Sequence, residues 1–263
     1  MRKIVISPDF TDLASSIKQI PEMVRKGQGK LLFKGRNKLI LFENIHLGNN
    51  TVKIVVKCFK RNGFLKKAIY TWLRKNKAAR CYKNAQEIKR RGFLTPQEIA
   101  YIEEYKGGLL DQVYYLCEYS SWCPINDYNT DNKNFDHTFV ADFAAFVAEL
   151  HLHGVIHHDL NSTNVNYCKK GNHYIFSLID INRMTFYSHE APIKESLENL
   201  TLFSDISSLY LYFLKCYVKK RNNPEINFEK CLTIKKRHDR NRKRKKSFTN
   251  LFKKRKPLDN KNK

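Results

Sequence analysis

Residues 151–183 read HLHGVIHHDLNSTNVNYCKKGNHYIFSLIDINR, and the rest of this chain of 263 residues can be placed around them. The run HHDLNSTN places a carboxylate at Asp159 and an amide at Asn164, five residues later. A second carboxylate, Asp180, follows an apolar run. Residues 165–178 alternate around a Lys-Lys-Gly-Asn turn, which predicts a β-hairpin that brings Asp180 back to the loop.

This spacing is typical of phosphoryl transfer. The loop fits the pattern H-x-D-L-x-x-x-N of kinase catalytic loops, which a metal-binding aspartate follows. Asp159 would orient and deprotonate an acceptor hydroxyl, because transfer of a γ-phosphoryl group needs a carboxylate beside the attacking oxygen. Asn164 and Asp180 would offer oxygen ligands to Mg2+. The residues therefore predict a phosphotransferase that acts on a hydroxyl group.

The segments HGVIHHDLNSTN and FSLIDINRMTF resemble the protein-kinase-like superfamily, and within it most closely the lipopolysaccharide kinase (Kdo/WaaP) family of Gram-negative bacteria. The resemblance implies a bilobal α+β fold, with a small antiparallel sheet in the N-lobe and a mainly helical C-lobe. It also implies ATP and Mg2+ as cofactors. The acceptor implied is a sugar hydroxyl, on Kdo or heptose, of the lipopolysaccharide inner core.

Two features differ from the kinases that act on proteins. Asn161 stands where those kinases usually carry a lysine, two residues after the catalytic aspartate, as it often does in sugar and small-molecule kinases of the superfamily. Ile181 and Asn182 follow Asp180 in place of Phe-Gly, and no A-P-E motif appears. These departures disfavour a protein substrate.

The nucleotide-binding candidates lie earlier in the chain. Residues 51–60 alternate and are rich in β-branched side chains, which predicts a strand. Its VVKCF segment resembles the kinase strand whose lysine binds the α- and β-phosphates, so Lys57 is the candidate. No G-x-G-x-x-G is present. Gly35, Arg36 and Asn37 are candidates for the turn that covers the phosphates, although a solvated hairpin turn explains them equally well.

A helix expected over residues 77–91 resembles the one whose glutamate pairs with the phosphate-binding lysine. Glu87 is the only glutamate in it. The spacing in the superfamily would place the partner nearer Cys81 or Asn84, and a surface pair with a neighbouring cation explains Glu87 equally well. Two alternatives therefore stay open for Glu87: it pairs with Lys57, or it pairs with a neighbouring cation on the helix surface.

The strand at residues 113–119 ends at Glu118 and Tyr119. The superfamily places its hinge here, where backbone hydrogen bonds hold adenine. The resemblance therefore implies a lobe boundary near residue 120, with an N-lobe over 1–120 and a C-lobe over 121–218.

Composition bounds the class of protein. Hydrophobic residues make up 42% of the chain, enough for a sizeable core. The seven cysteines are an odd number without a CxxC pair, which favours buried thiols in a reducing compartment over disulfides or a zinc site. The N-terminus lacks the apolar region of a secretion signal, and no apolar run reaches the about 18 residues of a membrane span. We expect a cytoplasmic protein.

The net charge of +24 is unevenly distributed. Residues 219–263 hold 19 Lys or Arg against 4 Asp or Glu, a net of +15, which leaves +9 for the kinase-like domain over 1–218. This basic C-terminal tail is either solvated or an anchor on the anionic inner leaflet of a Gram-negative inner membrane. Nucleic-acid binding is disfavoured because the cations gather at one end rather than among aromatics on a folded face.

Two alternatives stay open. One is another small-molecule or protein kinase of the same fold. The other is a non-catalytic kinase-like module that binds membrane or nucleic acid. The joint presence of Lys57, Asp159, Asn164 and Asp180 disfavours the second alternative, because a binding platform has no need of that set.

Overall fold

The structure, a computed structural model, describes residues 1–47, 50–61, 63–127 and 134–254. The polar run at residues 124–137 predicts an exposed loop. Part of that loop, 128–133, and the last part of the predicted basic tail, 255–263, lie outside the described residues. The chain forms two compact units. The first contains Met1–Ile125, Asn164–Cys168 and Phe176–Met184, and the second contains Asn126–Thr163, Lys169–Ile175 and Thr185–Lys263.

The first unit is built on an antiparallel sheet. Its elements are β1 (Arg2–Ile6), α1 (Ala14–Arg25), β2 (Lys30–Lys34), β3 (Lys38–Leu47), β4 (Asn50–Cys58), α2 (Phe64–Trp72), α3 (Lys77–Arg90), β5 (Glu98–Lys106), β6 (Leu109–Glu118) and β7 (Cys123–Pro124). Six strands pair antiparallel in the order β1-β5-β6-β4-β3-β2. Gly107 and Gly108 join β5 to β6 with positive φ at both positions, which suits a two-residue hairpin turn.

The core of this unit lies between α1 and the sheet. Ile17 and Ile20 of α1 are buried against residues such as Ile54 and Val56 of β4 and Ile99 of β5. The helical spacing of apolar residues predicts α1, and the alternation over 51–60 predicts β4; the structure confirms both.

Helix α3 begins at a cap that the sequence encodes. The side chain of Asn76 accepts hydrogen bonds from the backbone N–H groups of Ala78 and Ala79, which satisfies donors that the first turn leaves unpaired. The buried face of α3 packs on β5 and includes Tyr82, whose ring meets that of Tyr101 at 5.5 Å. The helix is thereby fixed against the sheet.

The rest of the chain is mainly helical. Its elements are α4 (His137–Leu152), β8 (Val155–His157), β9 (Val165–Lys170), β10 (His173–Leu178), β11 (Met184–Phe186), α5 (Ile193–Asn199), α6 (Ser208–Arg221) and α7 (Phe228–Lys254). The predicted hairpin is confirmed as β9 and β10, which form a sheet with β7. The α+β class with a sheet unit and a helical unit agrees with the expectation.

The helical unit differs from the sequence expectation in one helix. The apolar pattern predicts a single helix over 201–217, whereas α6 begins only at Ser208. The hydroxyl of Ser207 accepts from the backbone N–H of Tyr210, so a capping side chain starts the helix later than the pattern suggests. Phe213 of α6 then packs on Phe143 of α4, with ring centroids 5.6 Å apart.

The basic segment predicted to be a tail contains regular structure. The boundary expected at residue 219 falls inside α6, and α7 continues the helical unit. Cys231 and Lys235 of α7 are buried, and the Lys235 Nζ donates to the carbonyl of Thr201 and pairs with Asp239, both at 3.0 Å. The first half of the basic segment is therefore part of the fold.

Candidate active site

Lys57 and Asp180 meet in the first unit. Lys57 projects from β4, Asp180 follows β10, and the Lys57 Nζ lies 2.6 Å from the Asp180 Oδ1. Both side chains are largely withdrawn from water, at 13% and 31% exposure. The structure therefore brings together the residues predicted to bind phosphate and metal.

Several hydrogen bonds hold the backbone around Asp180. The amide of Asn84 on α3 donates to the carbonyl of Ile181 at 2.7 Å, and the N–H of Ile179 donates to the carbonyl of Asn164 at 2.9 Å. Asp180 itself has φ of 51°, a left-handed conformation that costs free energy for a residue other than glycine. Such a conformation persists only where its surroundings enforce it, and it is common at functional sites.

Asn164 and Asp180 fit a magnesium ion. The bond from Ile179 to Asn164 places the two predicted ligands on adjacent backbone segments. Mg2+ is bound in kinases by one or two protein oxygen ligands together with substrate phosphates, so this pair is a sufficient protein contribution. In the described part of the chain, no three His, Cys, Asp or Glu side chains gather as they would around a metal bound by protein alone.

Of the two alternatives left open for Glu87, the structure shows the surface pair and not the pair with Lys57. Glu87 pairs instead with Arg90 and Arg91 on its own helix, at 2.6 and 2.7 Å. These two arginines lower the pKa of Glu87 to about 2. A helix places residues three and four apart side by side, so local pairing captures this carboxylate.

Helix α3 contributes other residues to the site. Asn84 donates a hydrogen bond to the segment that contains Asp180. Cys81 is buried close enough to Lys57 and Asp180 for their charges to act on its thiol. Burial raises the pKa of the Cys81 thiol to about 12, so this cysteine is a neutral packing residue. The positions that superfamily spacing favours thus face the site, but neither carries a carboxylate.

A basic cluster surrounds the ion pair. Burial lowers the pKa of Lys77, and the positive charges of Arg36 and Arg183 lower it further. The Lys77 Nζ lies 5.9 Å from the ring centroid of Phe59, and the Lys57 Nζ lies 5.4 Å from the same centroid. Cations gathered around a lysine whose pKa they lower favour an anionic ligand, and a nucleotide phosphate is such an anion.

The turn at Gly35, Arg36 and Asn37 joins β2 to β3, as expected. The N–H of Gly35 donates to the carbonyl of Asn37 at 3.0 Å, and the Asn37 side chain accepts from the N–H of Lys60 at 3.2 Å. A Cβ on Gly35 would lie 2.7 Å from the ring of Phe33, so this exposed side chain would have to shift to admit one. The turn is tied to the end of β4, near Lys57.

Strand β6 ends at Glu118, and Tyr119 follows it, where the adenine hinge is expected. Their backbone N–H groups donate to the carbonyls of Gln97 and Lys53, each at 2.9 Å. An adenine base placed here would have to use other backbone groups of this segment. The hinge role stays a prediction.

Asp159 lies in the second unit, on the loop after β8. The Asn161 amide donates to the Asp159 Oδ1 at 3.1 Å, while the Asn161 Oδ1 accepts from the N–H of Thr163 at 2.9 Å. Asn161 therefore orients the carboxylate of the predicted base. The sequence marks Asn161 only as a departure from protein kinases, and the structure supplies its role.

Hydrogen bonds among buried polar residues hold this loop in place. The Nδ1 of His157 accepts from the N–H of Asp159 at 3.1 Å, and the Asn199 amide donates to the His157 carbonyl at 2.7 Å. The Asn199 Oδ1 also contacts the Nε2 of His151, whose Nδ1 lies 2.8 Å from the hydroxyl of Tyr217. Asn199 thus joins α4, α5 and the catalytic loop.

Sequence reasoning missed three of these residues. Lys77 could have been noticed, because a cation in the first turn of a helix opposes the helix dipole and suggests another role. Arg183 and Asn199 carry no comparable local signal. Their roles depend on residues far away in the sequence.

Comparison with known proteins supports the kinase interpretation. The lipopolysaccharide kinase (Kdo/WaaP) family matches residues 37–208, more than half of the chain. The chain belongs to the lipopolysaccharide kinase (Kdo/WaaP) family. Membership of this family makes it a phosphotransferase, and the family resemblance seen in the sequence is confirmed. No curated protein matches the sequence.

Solved structures show the same fold. WaaP in complex with acyl carrier protein has 13% sequence identity and a TM-score of 0.59, covering 90% of this chain and 97% of that chain. WbdD bound to a kinase inhibitor has 16% identity and a TM-score of 0.40, covering 73% and 45%. The first likeness establishes the fold of this Kdo/WaaP family member, and the second is too distant to add to it. Among the described helices, none has both the length and the apolar character required to cross a bilayer.

Proposed function

We propose that this member of the Kdo/WaaP family transfers the γ-phosphoryl group of ATP to a sugar hydroxyl, on Kdo or heptose, of the lipopolysaccharide inner core. The ion pair between Lys57 and Asp180 carries the proposal, since it joins a candidate phosphate ligand to a candidate metal ligand. Family membership supports the choice of acceptor.

The residues divide the work of binding the nucleotide. Lys57 would bind the α- and β-phosphates, with Arg36 and Lys77 adding positive charge around them. Asn164 and Asp180 would hold Mg2+, which when bound neutralises charge on the transferred phosphoryl group. The partly buried setting strengthens each of these interactions, because the dielectric screening there is weaker than in water.

Asp159 would act on the acceptor. Its carboxylate would take the proton of the sugar hydroxyl as that oxygen attacks the γ-phosphorus, and the bond to the leaving ADP oxygen would break. Asn161 keeps the carboxylate oriented, and buried His157 keeps the loop in place. Asp159 is a catalytic residue in this scheme, and the other two are positioning residues.

The acceptor proposed is part of a lipid-anchored molecule, so we also propose that the protein works at the cytoplasmic surface of the inner membrane. Basic residues toward the end of α7 would attract that surface, since each Lys or Arg close to anionic lipid contributes about 1 kcal/mol. The buried start of α7 is excluded from this role.

The decisive experiment is transfer itself. Purified protein is incubated with labelled ATP, Mg2+ and extracted core lipids, and mass spectrometry identifies the product. A phosphate added to Kdo or heptose, and lost with Asp159→Asn, supports the proposal. Label that enters protein or a soluble metabolite instead, or no transfer despite tight binding of Mg-ATP, would contradict it.

A further inference from the structure

Helix α2 packs on the sheet through its polar side. The Lys67 Nζ pairs with Asp111 at 2.5 Å, and the Thr71 hydroxyl accepts from the N–H of Leu110 at 2.9 Å. Lys67 and Thr71 are four residues apart and so share one helix face. A surface helix ordinarily buries its apolar face. Here a salt bridge and a hydrogen bond fix the helix with its other face turned outward.

That outward face is apolar. Leu65, Ile69, Trp72 and Leu73 recur at helical spacing, and their exposures are 78%, 43%, 71% and 82%. Single exposed apolar residues are normal, but a contiguous apolar patch marks an interaction site. The outward face of α2, defined by these four residues, is such a patch.

The sequence around α2 is strongly basic, although the carboxylate of Asp111 on β6 pairs with Lys67 and Arg61. Between residues 44 and 86 the chain carries eleven Lys or Arg and no Asp or Glu. Lys60 and Arg61 lie just before the helix, and Arg74 and Lys75 just after it, all exposed. Apolar side chains flanked by cations match a surface that offers hydrocarbon beneath a layer of negative charge.

We propose that the outward face of α2 inserts into the interfacial region of an anionic lipid bilayer. Trp72 suits this depth, because an indole ring places its apolar body among acyl chains and its N–H among headgroups. The flanking cations would lie at headgroup level. This contact is separate from the electrostatic attraction of α7, since it depends on apolar burial.

Other occupants fit these observations less well. A second copy of the chain joined through the same face would bring two sets of flanking cations, Lys60, Arg61, Arg74 and Lys75, close together, and like charges repel. A nucleic acid would match the charge, but three of the four outward side chains are aliphatic and cannot stack on bases. Lipid satisfies both the apolar and the basic character.

The position of α2 in the unit has a consequence for the site. It begins shortly after the end of β4, where the backbone N–H of Lys60 donates to the side chain of Asn37 in the β2–β3 turn. The turn that carries Arg36 therefore lies at the same end of the sheet as the lipid-binding helix. The idea that α2 brings the site close to a lipid-borne acceptor rests on the proposed function. The idea that α2 binds a bilayer does not.

Tryptophan fluorescence tests the insertion directly. The chain has two tryptophans, so Trp122→Phe leaves Trp72 as the only emitter, and Trp72→Phe leaves Trp122. With vesicles of phosphatidylglycerol and phosphatidylethanolamine, we expect the emission of Trp72 to shift to the blue and to be quenched by lipids brominated near the headgroup. Trp122 is the matched control, and its emission should not change.

Co-sedimentation measures the binding. Replacing Trp72 and Leu73 by serine should lower the partition coefficient about tenfold or more at high salt, because withdrawing one large apolar side chain from water is worth that much. Ile206→Ser, at another exposed apolar position, should bind as the parent does. High salt of about 1 M shortens the Debye length to about 3 Å and suppresses the contribution of α7.

Three results would overturn the inference. The first is Trp72 emission that stays unchanged while the protein sediments with vesicles. The second is no sedimentation with anionic vesicles at low salt. The third is a blue shift without lipid that grows with protein concentration, which would assign the face to a second copy. None of these measurements involves phosphoryl transfer, so they are independent of the proposed acceptor.

Discussion

The ammonium group of Lys57 lies 2.6 Å from the carboxylate of Asp180, a residue 123 positions later in the chain. The pair joins β4 to the segment that follows β10 within one unit. A buried charge without a partner is costly, so each residue lowers the cost of burying the other. The same contact gathers a phosphate ligand and a metal ligand at one point.

Asp180→Asn should weaken binding of Mg-ATP. The amide keeps the shape but loses the charge that holds the metal, so we expect the dissociation constant to rise about tenfold or more. Titration of Mg2+ and ATP by calorimetry measures it. Asp111→Asn is a matched control, since Asp111 also pairs with a lysine but lies at α2. An unchanged Mg2+ dependence in Asp180→Asn would remove Asp180 from metal binding.

Asp159→Asn should lower turnover by a factor of about 100 or more while ATP affinity changes little, because loss of a general base acts on the chemical step. Steady-state kinetics separates kcat from the KM for ATP. Asp142→Asn, in the same unit, should stay within about threefold of the parent. Turnover of Asp159→Asn in that same range would exclude Asp159 as the base.

Lys77→Ala should raise the KM for ATP about tenfold, since a hydrogen bond to a charged group contributes about 1.5–3 kcal/mol. Glu87→Gln should not, because Glu87 pairs with Arg90 and Arg91 on its own helix. Comparing the two variants under the same assay conditions tests both assignments. A larger effect from Glu87→Gln than from Lys77→Ala would favour the other alternative, in which Glu87 pairs with Lys57.

Stability should fall as the pH falls below neutrality. Burial among Tyr217, Asn199 and Arg221 lowers the pKa of His151 from 6.5 to about 3. Below pH 6.5, His151 therefore binds a proton in the unfolded chain but stays neutral in the folded protein. The contribution of His151 to the free energy of unfolding is fully present above the pKa of the unfolded chain. As the pH falls from that value toward the pKa of the folded protein, stability is lost at about 1.4 kcal/mol per pH unit.

His151→Gln removes the titrating imidazole and so isolates its contribution to the pH dependence of stability. Urea unfolding at several pH values between neutrality and mild acid should show a shallower loss of stability in the variant than in the parent. Equal slopes would mean that other groups account for the acid sensitivity.

A truncation tests the basic end of α7. Removing residues 246–263 should reduce sedimentation with anionic vesicles at low salt, because each lost Lys or Arg gives up about 1 kcal/mol of attraction. Folding should survive, since buried Lys235 and its partner Asp239 remain. A cut at residue 235 would remove that packed segment and should unfold the helical unit. Full binding by the shorter chain would assign membrane contact to other residues.

Local patterns in the chain were sufficient for much of the architecture and of the site. The alternation in β4, the turn of the hairpin and the spacing from Asp159 to Asn164 each occupy at most about ten residues. Within so short a segment, backbone geometry and side-chain periodicity dictate the outcome. Lys57, Asn164 and Asp180 could therefore be named as candidate site residues before any tertiary contact was known.

Tertiary structure decided how distant segments pair. Glu87 and Lys57 belong to elements that the pattern would join, yet Arg90 and Arg91 lie nearer to Glu87 and capture it. Lys235 reads as a tail residue, but packing of α7 buries it. The spacing of the apolar residues of α2 puts them on one face of the helix, and the bonds of Lys67 and Thr71 turn that face outward. Each outcome depends on which distant residues folding brings within a few ångströms of one another. The periodicity of the sequence does not determine those long-range partners.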